Sequence, residues 1–170
     1  DNTEDDVHPL PRIDEMVQRQ SAYKIWSSLD CKDDYHQMPL KKEHRHITCM
    51  STPKGTYQWK VQVMGLKTAG AQFQRMMEWI LQDHECADPY IDDIIIGSTG
   101  ETLEDAICNH ENDLRSVLTT LARNQIYVDP KKAYLFMREV EFCEHVLREG
   151  RRSPAPGKLM VIQQWERRRP

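Results

Sequence analysis

Apolar residues recur at helical spacing in three stretches of the chain. A short stripe of Ile13, Met16 and Val17 follows two prolines near the N-terminus and predicts a short helix. Two longer stripes predict two longer helices, one that begins after Thr68 as its N-cap and one over residues 103–124. The residues of these two stripes are Phe73, Met76, Met77, Ile80 and Leu81, and Leu103, Ile107, Leu114, Val117, Leu118 and Leu121.

Other stretches alternate between apolar and polar residues and predict strands. Residues 23–30 predict a strand that ends at Asp30, and residues 88–98 predict a tight hairpin. Two further strands follow the second long helix, and a last helix is predicted after the prolines at 154 and 156. The order indicates an α+β fold, a mixed or antiparallel sheet with helices on one face.

Residues 43–64 predict a two-stranded ribbon. Pro53 and Gly55 supply the chain reversal. In this interpretation His44 and His46 share one face of a strand, where lone histidines are more often surface residues than metal ligands.

Two adjacent carboxylates, Asp92 and Asp93, stand inside the apolar run YIDDIIIGS. Ionised acids there need positive charge, and the nearest Lys or Arg along the chain is Arg75 on one side and Arg115 on the other. At the bend of a hairpin both acids can address one cation, and Asp30 at the end of a neighbouring strand would complete a two-metal site. A surface hairpin with an acidic turn is the alternative.

Composition narrows the classes of protein. The 170 residues, of which 39% are hydrophobic and 29% charged, fit one globular domain, and no apolar stretch has the length of a membrane-spanning helix. Five cysteines without a C-x-x-C pair indicate reduced thiols in an intracellular compartment and make zinc improbable. The net charge of −4 argues against nucleic-acid binding through a uniform positive field.

Four segments, in order and spacing, resemble the reverse transcriptases of long-terminal-repeat retrotransposons, the gypsy-like group in particular. They are SSLDCKDDYHQMPL, GLKTAGAQFQRMM, YIDDIIIGS and VEFCEHVLREGRRSPAPGKLMVIQQW. The resemblance implies a right-hand polymerase palm with partial fingers in a single partial domain over 1–170. The palm would comprise residues 7–39 and 69–147, the fingers ribbon 40–68, and the start of the thumb or connection 148–170.

The resemblance also implies a nucleotidyltransferase that makes DNA from dNTPs, on an RNA or DNA template with a DNA primer. Asp30, Asp92 and Asp93 match the catalytic acids that bind two Mg²⁺ or Mn²⁺ ions, and Tyr35 matches the aromatic residue that excludes a 2′-hydroxyl. Lys131 or Lys132 resembles the lysine near the nucleotide phosphates. The further matches are Asp33, Asp34, Gly65 and Gln72 for nucleotide binding, and Phe142, Cys143, Glu144 and His145 for the primer grip.

Implied partners are the template and primer, dNTPs and the remainder of a Pol polyprotein with RNase H and integrase, without a membrane. The implied location is the cytoplasm, in an element particle, or the nucleus.

The chain departs from the family at Asp34, at Gly70, at a missing Pro-Phe pair after Met64, and at Cys143 and Glu144. Two alternatives follow, an inactive relic that binds nucleic acid or protein, and a magnesium nuclease or phosphatase.

Overall fold

The computed structural model describes residues 8–65, 68–149 and 151–154. Its central element is an antiparallel sheet of four strands in the order β4-β5-β1-β6. A two-stranded ribbon, β2-β3, and a three-stranded sheet, β7-β8-β9, accompany it. The elements in chain order are α1 (Ile13–Gln20), β1 (Ile25–Asp30), two 3-10 helices (Asp34–Gln37 and Lys42–Thr48), β2 (Met50–Thr52), β3 (Gly55–Tyr57), α2 (Ala69–Leu81), β4 (Ala87–Tyr90), β5 (Asp93–Ser98), α3 (Leu103–Arg123), β6 (Tyr134–Met137), β7 (Glu139–Phe142), β8 (His145–Arg148) and β9 (Arg151–Pro154).

The two faces of the central sheet carry two separate cores, because successive side chains of a strand point to opposite faces. Leu29, Ile94 and Ile96 pack against α2 and α3, as the apolar stripes predict. Trp26 and Ile95 pack on the other face against α1 and the β7-β8 hairpin. The predicted α+β fold is confirmed. The two long helices α2 and α3 lie on one face of the sheet, as predicted, whereas the short α1 packs on the opposite face.

The predicted long ribbon is wrong in extent. Most of its first strand is the 3-10 helix Lys42–Thr48, so His44 and His46 do not share a strand face. The ribbon that remains has three residues in each strand, all exposed, and its reversal uses Gly55 at a φ of 131°, as expected. Without a packing partner, alternating residues gain nothing from an extended conformation, which explains the shorter strands.

Two other predictions at element ends need correction. Thr68 occupies the N-cap position of α2 but makes no capping bond to the backbone, and its hydroxyl instead accepts a hydrogen bond from the Gln72 amide at 3.3 Å. After α3 the chain forms only an isolated bridge at Val128 before β6 begins at Tyr134. The last predicted helix, after the prolines at 154 and 156, lies outside the described residues.

A buried hydrogen-bond chain through His110 joins α3 to three strands. The Ser98 hydroxyl donates to Asp113 at 2.6 Å, so it accepts from Nδ1 of His110 at 2.9 Å. Nε2 of the neutral ring then accepts from the Ser27 hydroxyl at 2.7 Å, and Ser27 accepts from the Phe136 N–H at 3.2 Å. Burial lowers the pKa of His110 below its usual 6.5, and the nearby Asp113 charge opposes that shift.

The His110 chain makes stability depend on pH. Because the pKa of His110 in the folded protein lies below 6.5, the unfolded chain binds more protons than the folded chain in acid. The stability gained from the neutral ring is therefore complete above pH 6.5 and is lost as the pH falls through the folded pKa. We expect His110→Gln to reduce the loss of unfolding free energy between about pH 7 and about pH 5, as measured by urea denaturation. The exposed His44→Gln is the control, and equal pH dependence in wild type and His110→Gln would refute the assignment.

Candidate active site

Two carboxylates face each other across the β1-β5 ladder. Asp30, the last residue of β1, is the direct partner of Asp93, the first residue of β5. Directly opposed residues of antiparallel strands project to the same face, with Cβ atoms about 4.5–5.5 Å apart. Asp92 precedes them in the β4-β5 turn, and its carbonyl accepts the Cys31 N–H at 2.7 Å. The backbone thus brings all three acids to one end of the sheet.

Lys132 supplies positive charge to this end of the sheet. Its ammonium donates to both carboxylate oxygens of Asp30, at 2.9 and 3.0 Å. The hydrogen bond and the charge of Asp30 raise the pKa of Lys132, and the charges of Asp129 and Asp92 act in the same direction. Of the two lysines indicated by the sequence, Lys132 is therefore the one that contacts a candidate catalytic acid, whereas the Lys131 N–H is held by the Asp129 carboxylate at 2.9 Å.

The donor chemistry of the three acids fits a hard divalent cation, because carboxylate oxygens are the ligands that Mg²⁺ and Mn²⁺ prefer. The described part of the chain contains no group of three His, Cys, Asp or Glu side chains already spaced to hold a metal. Asp30 is engaged with Lys132, so metal binding requires the acids to turn toward a shared ion.

Gln74, on the buried face of α2, holds the turn that carries Asp92. Its carbonyl oxygen accepts the Ile91 N–H at 2.6 Å, and its amide donates to the Pro89 carbonyl and to Glu78, both at 2.9 Å. Ile91 has a φ of 53°, a left-handed conformation that is costly for a β-branched residue. The Gln74 bonds help to keep this strained residue in place, and with it the direction of Asp92.

The residues matched to nucleotide binding lie around the start of α2 and the 3-10 helix after β1. Tyr35 packs edge-on against Phe73 of α2 with ring centroids 6.0 Å apart. Asp33, at a φ of 54°, is the N-cap of the 3-10 helix, and the side chain of Asp34 lies outside the described parts of the structure. Gly65 precedes α2 with a φ of 89°, and the exposed Gln72 lies in the first turn of that helix.

The β7-β8 hairpin, matched to the primer grip, lies beside the acids. Cys143 and Glu144 form its two-residue turn with φ values of 46° and 63°, a geometry that usually favours Asn-Gly. Burial, followed by the charges of Asp93 and Asp92, raises the pKa of Cys143 to about 12, and Cys143 packs against the same core cluster as Tyr90 and Ile95 on that face of the sheet. Phe142 is buried, and Nδ1 of His145 donates to the Cys143 carbonyl at 2.8 Å.

Comparison with known proteins identifies the family. The family model for reverse transcriptase (RNA-dependent DNA polymerase) matches residues 1–147. The enzymatic polyprotein of figwort mosaic virus (strain DxS) is 34% identical over 151 residues, which cover 88% of this chain and 22% of that protein. The retrovirus-related Pol polyprotein from transposon opus of Drosophila melanogaster is 31% identical over 159 residues, 92% of this chain and 15% of that protein. The chain therefore belongs to the reverse transcriptase family.

Solved structures show the same fold. The foamy viral protease-reverse transcriptase in complex with an RNA/DNA hybrid superposes with a TM-score of 0.75 at 19% identity, covering 93% of this chain and 21% of that one. The complex of its dRH form with double-stranded DNA gives 0.74 at 21% identity, covering 84% of this chain and 24% of that one. The predicted palm fold is confirmed, and the chain spans about a fifth of the length of the relatives it matches.

Removing the Gln74 amide should destabilise the fold and the turn of Asp92. In Gln74→Leu the Ile91 N–H and the Pro89 carbonyl lose their partner, at a cost of about 1–3 kcal/mol. Chemical denaturation measures this loss, with the exposed Gln72→Leu on the same helix as a control expected within about 0.5 kcal/mol of wild type. Equal stability of the two variants would show that Gln74 does not support the turn.

Proposed function

We propose that the chain is the reverse transcriptase domain of a gypsy-like Pol polyprotein and that it catalyses template-directed DNA synthesis by two-metal phosphoryl transfer. One observation carries the proposal, the opposition of Asp30 and Asp93 with Asp92 in the adjoining turn. Phosphoryl transfer requires cations held by such acids more than it requires a protein nucleophile. The four matching segments support the gypsy-like assignment, and the relative from transposon opus supports an origin in a transposon Pol polyprotein.

In this proposal Asp30, Asp92 and Asp93 hold two Mg²⁺ or Mn²⁺ ions. When bound, the ions activate the primer 3′-hydroxyl and neutralise charge on the transferred phosphate. Lys132 balances the charge of Asp30, and its ammonium is a donor for the nucleotide phosphates. The ring of Tyr35, fixed against Phe73, limits the space for a 2′-hydroxyl.

The other residues matched to the family have supporting roles in the same proposal. Gly65, Gln72, Lys131 and the backbone at Asp33 and Asp34 would surround the dNTP. The β7-β8 turn from Phe142 to His145 would hold the primer end, since it lies beside the acids on the same face of the sheet.

The proposed domain division follows the same assignment. The palm would comprise residues 7–39 and 69–147, the fingers ribbon 40–68, and the start of the thumb or connection 148–170. The described residues include no helix that is both long and apolar enough to cross a membrane.

The proposed partners are an RNA or DNA template with a DNA primer, dNTPs, and the rest of a Pol polyprotein with RNase H and integrase. The solved foamy viral structures with an RNA/DNA hybrid and with double-stranded DNA support the choice of nucleic acid. The proposed location is an element particle in the cytoplasm, or the nucleus.

One observation favours a second function, a palm that binds nucleic acid without catalysis. Glu144 places an additional carboxylate in a strained turn beside Asp92 and Asp93. This further negative charge repels the phosphates of the primer end and keeps that end from the acids, whereas contacts with the rest of the duplex are unaffected. Binding of primer-template without any extension is the behaviour expected of this second function.

Primer extension distinguishes the two functions. We expect Mg²⁺- or Mn²⁺-dependent extension of a DNA primer on an RNA template, and a loss of at least about a hundredfold in Asp92→Asn, because the amide is a poor ligand for a divalent cation. Asp83→Asn, an exposed acid between α2 and β4, is the control and should extend like wild type. Equal extension by wild type and Asp92→Asn would contradict the catalytic assignment. Wild type that binds the duplex in an anisotropy assay but never extends it would favour the second function.

A further inference from the structure

Three consecutive side chains of the 3-10 helix Asp34–Gln37 reach three different parts of the molecule. Tyr35 contacts Phe73 of α2. The His36 ring stacks on Trp59, beyond β3, with centroids 5.6 Å apart and an interplanar angle of 10°. Gln37 reaches the connection between α3 and β6. The mechanism proposed above uses Tyr35 and leaves Gln37 without a role.

The Gln37 amide binds both main-chain groups of one residue in that connection. Its carbonyl oxygen accepts the Tyr127 N–H at 2.6 Å, and its NH₂ group donates to the Tyr127 carbonyl at 3.0 Å. The same NH₂ group also donates to the Lys32 carbonyl. The side chain thus pairs with Tyr127 as a neighbouring strand would. The Tyr127 ring itself is 65% exposed, so the pairing depends on its backbone alone.

The segment that Gln37 holds leads directly to the candidate site. The Lys32 N–H donates to the Tyr127 carbonyl at 2.9 Å, and Val128 forms an antiparallel bridge with Cys31. Further along, the Asp129 N–H donates to the backbone carbonyl of Asp30 at 2.9 Å. Residues 127–129 therefore run along the end of β1, and the turn after them delivers the ammonium of Lys132 to the Asp30 carboxylate.

We propose that Gln37 is a positioning residue that fixes the distance between Tyr35 and Lys132. Tyr35 lies two residues before Gln37 on the same short helix, and Lys132 lies five residues beyond the backbone that Gln37 holds. The inference rests on the proposed function, in which Tyr35 addresses the nucleotide sugar and Lys132 the phosphates. Loss of the Gln37 amide would therefore weaken dNTP binding and leave the three acids in place.

Hydrogen exchange tests the clamp without reference to activity. In the full chain, Gln37→Ala should reduce protection of the Tyr127 amide by about tenfold or more, since that N–H loses its acceptor. Gln37→Glu retains an acceptor for this amide and should preserve more of its protection. Gln18→Ala, an exposed glutamine on α1, is the matched control. Unchanged protection of Tyr127 in Gln37→Ala would overturn the clamp.

Steady-state primer extension tests what the clamp does. We expect Gln37→Ala to raise the KM for dNTP about tenfold with kcat within about twofold, because positioning affects nucleotide binding, and Gln37→Glu, which retains the acceptor for the Tyr127 N–H, to raise KM less. A merely structural residue would lower kcat with the folded fraction and leave KM unchanged, and that result would overturn the positioning role. If wild type itself extends no primer, the proposed function fails together with the positioning role, and exchange at Tyr127 alone decides whether the clamp exists.

Discussion

The electrostatic opposition of Asp30 and Asp93 is the constraint on which the rest of the structure depends. Two like charges directly across an antiparallel ladder destabilise a sheet that would gain from an apolar pair at that position. A fold that keeps them must supply positive charge, from a side chain or from a bound cation. The ammonium of Lys132 on Asp30 is one such contribution, and divalent cations at this half-buried end of the sheet would add to it.

The surrounding elements keep this opposition in a defined geometry. The three isoleucines of β5 are buried, two on one face of the sheet and one on the other. A shift of Asp93 along β1 would move these isoleucines out of the two cores. Gln74 fixes the strained turn before it, and the β7-β8 hairpin closes the same face. Each support comes from a different part of the chain, and together they confine the acids to one end of the palm.

The sequence allowed prediction of the elements whose patterns are local. The stripes of α2 and α3, the acidic hairpin and the end of β1 at Asp30 follow from periodicity and turn residues, and the motif resemblance pointed to the palm. Local patterns could not predict contacts between residues that are distant in sequence. Nothing in the sequence around Lys132 or Gln37 indicates that their side chains bind Asp30 and Tyr127. The sequence did contain a sign that Gln74 makes a buried hydrogen bond, because it is a polar residue on the apolar side of a predicted helix. The long ribbon was overpredicted because alternation alone does not show whether a strand has a surface to cover.

Thermal unfolding of wild type and Asp93→Asn, with EDTA and with increasing Mn²⁺, tests the central claim most directly. The Tm of each protein in EDTA gives its stability without a bound cation. Mn²⁺ should raise the Tm of wild type progressively and that of the variant far less. No response of wild type to Mn²⁺, or an equal response of Asp93→Asn, would contradict the account.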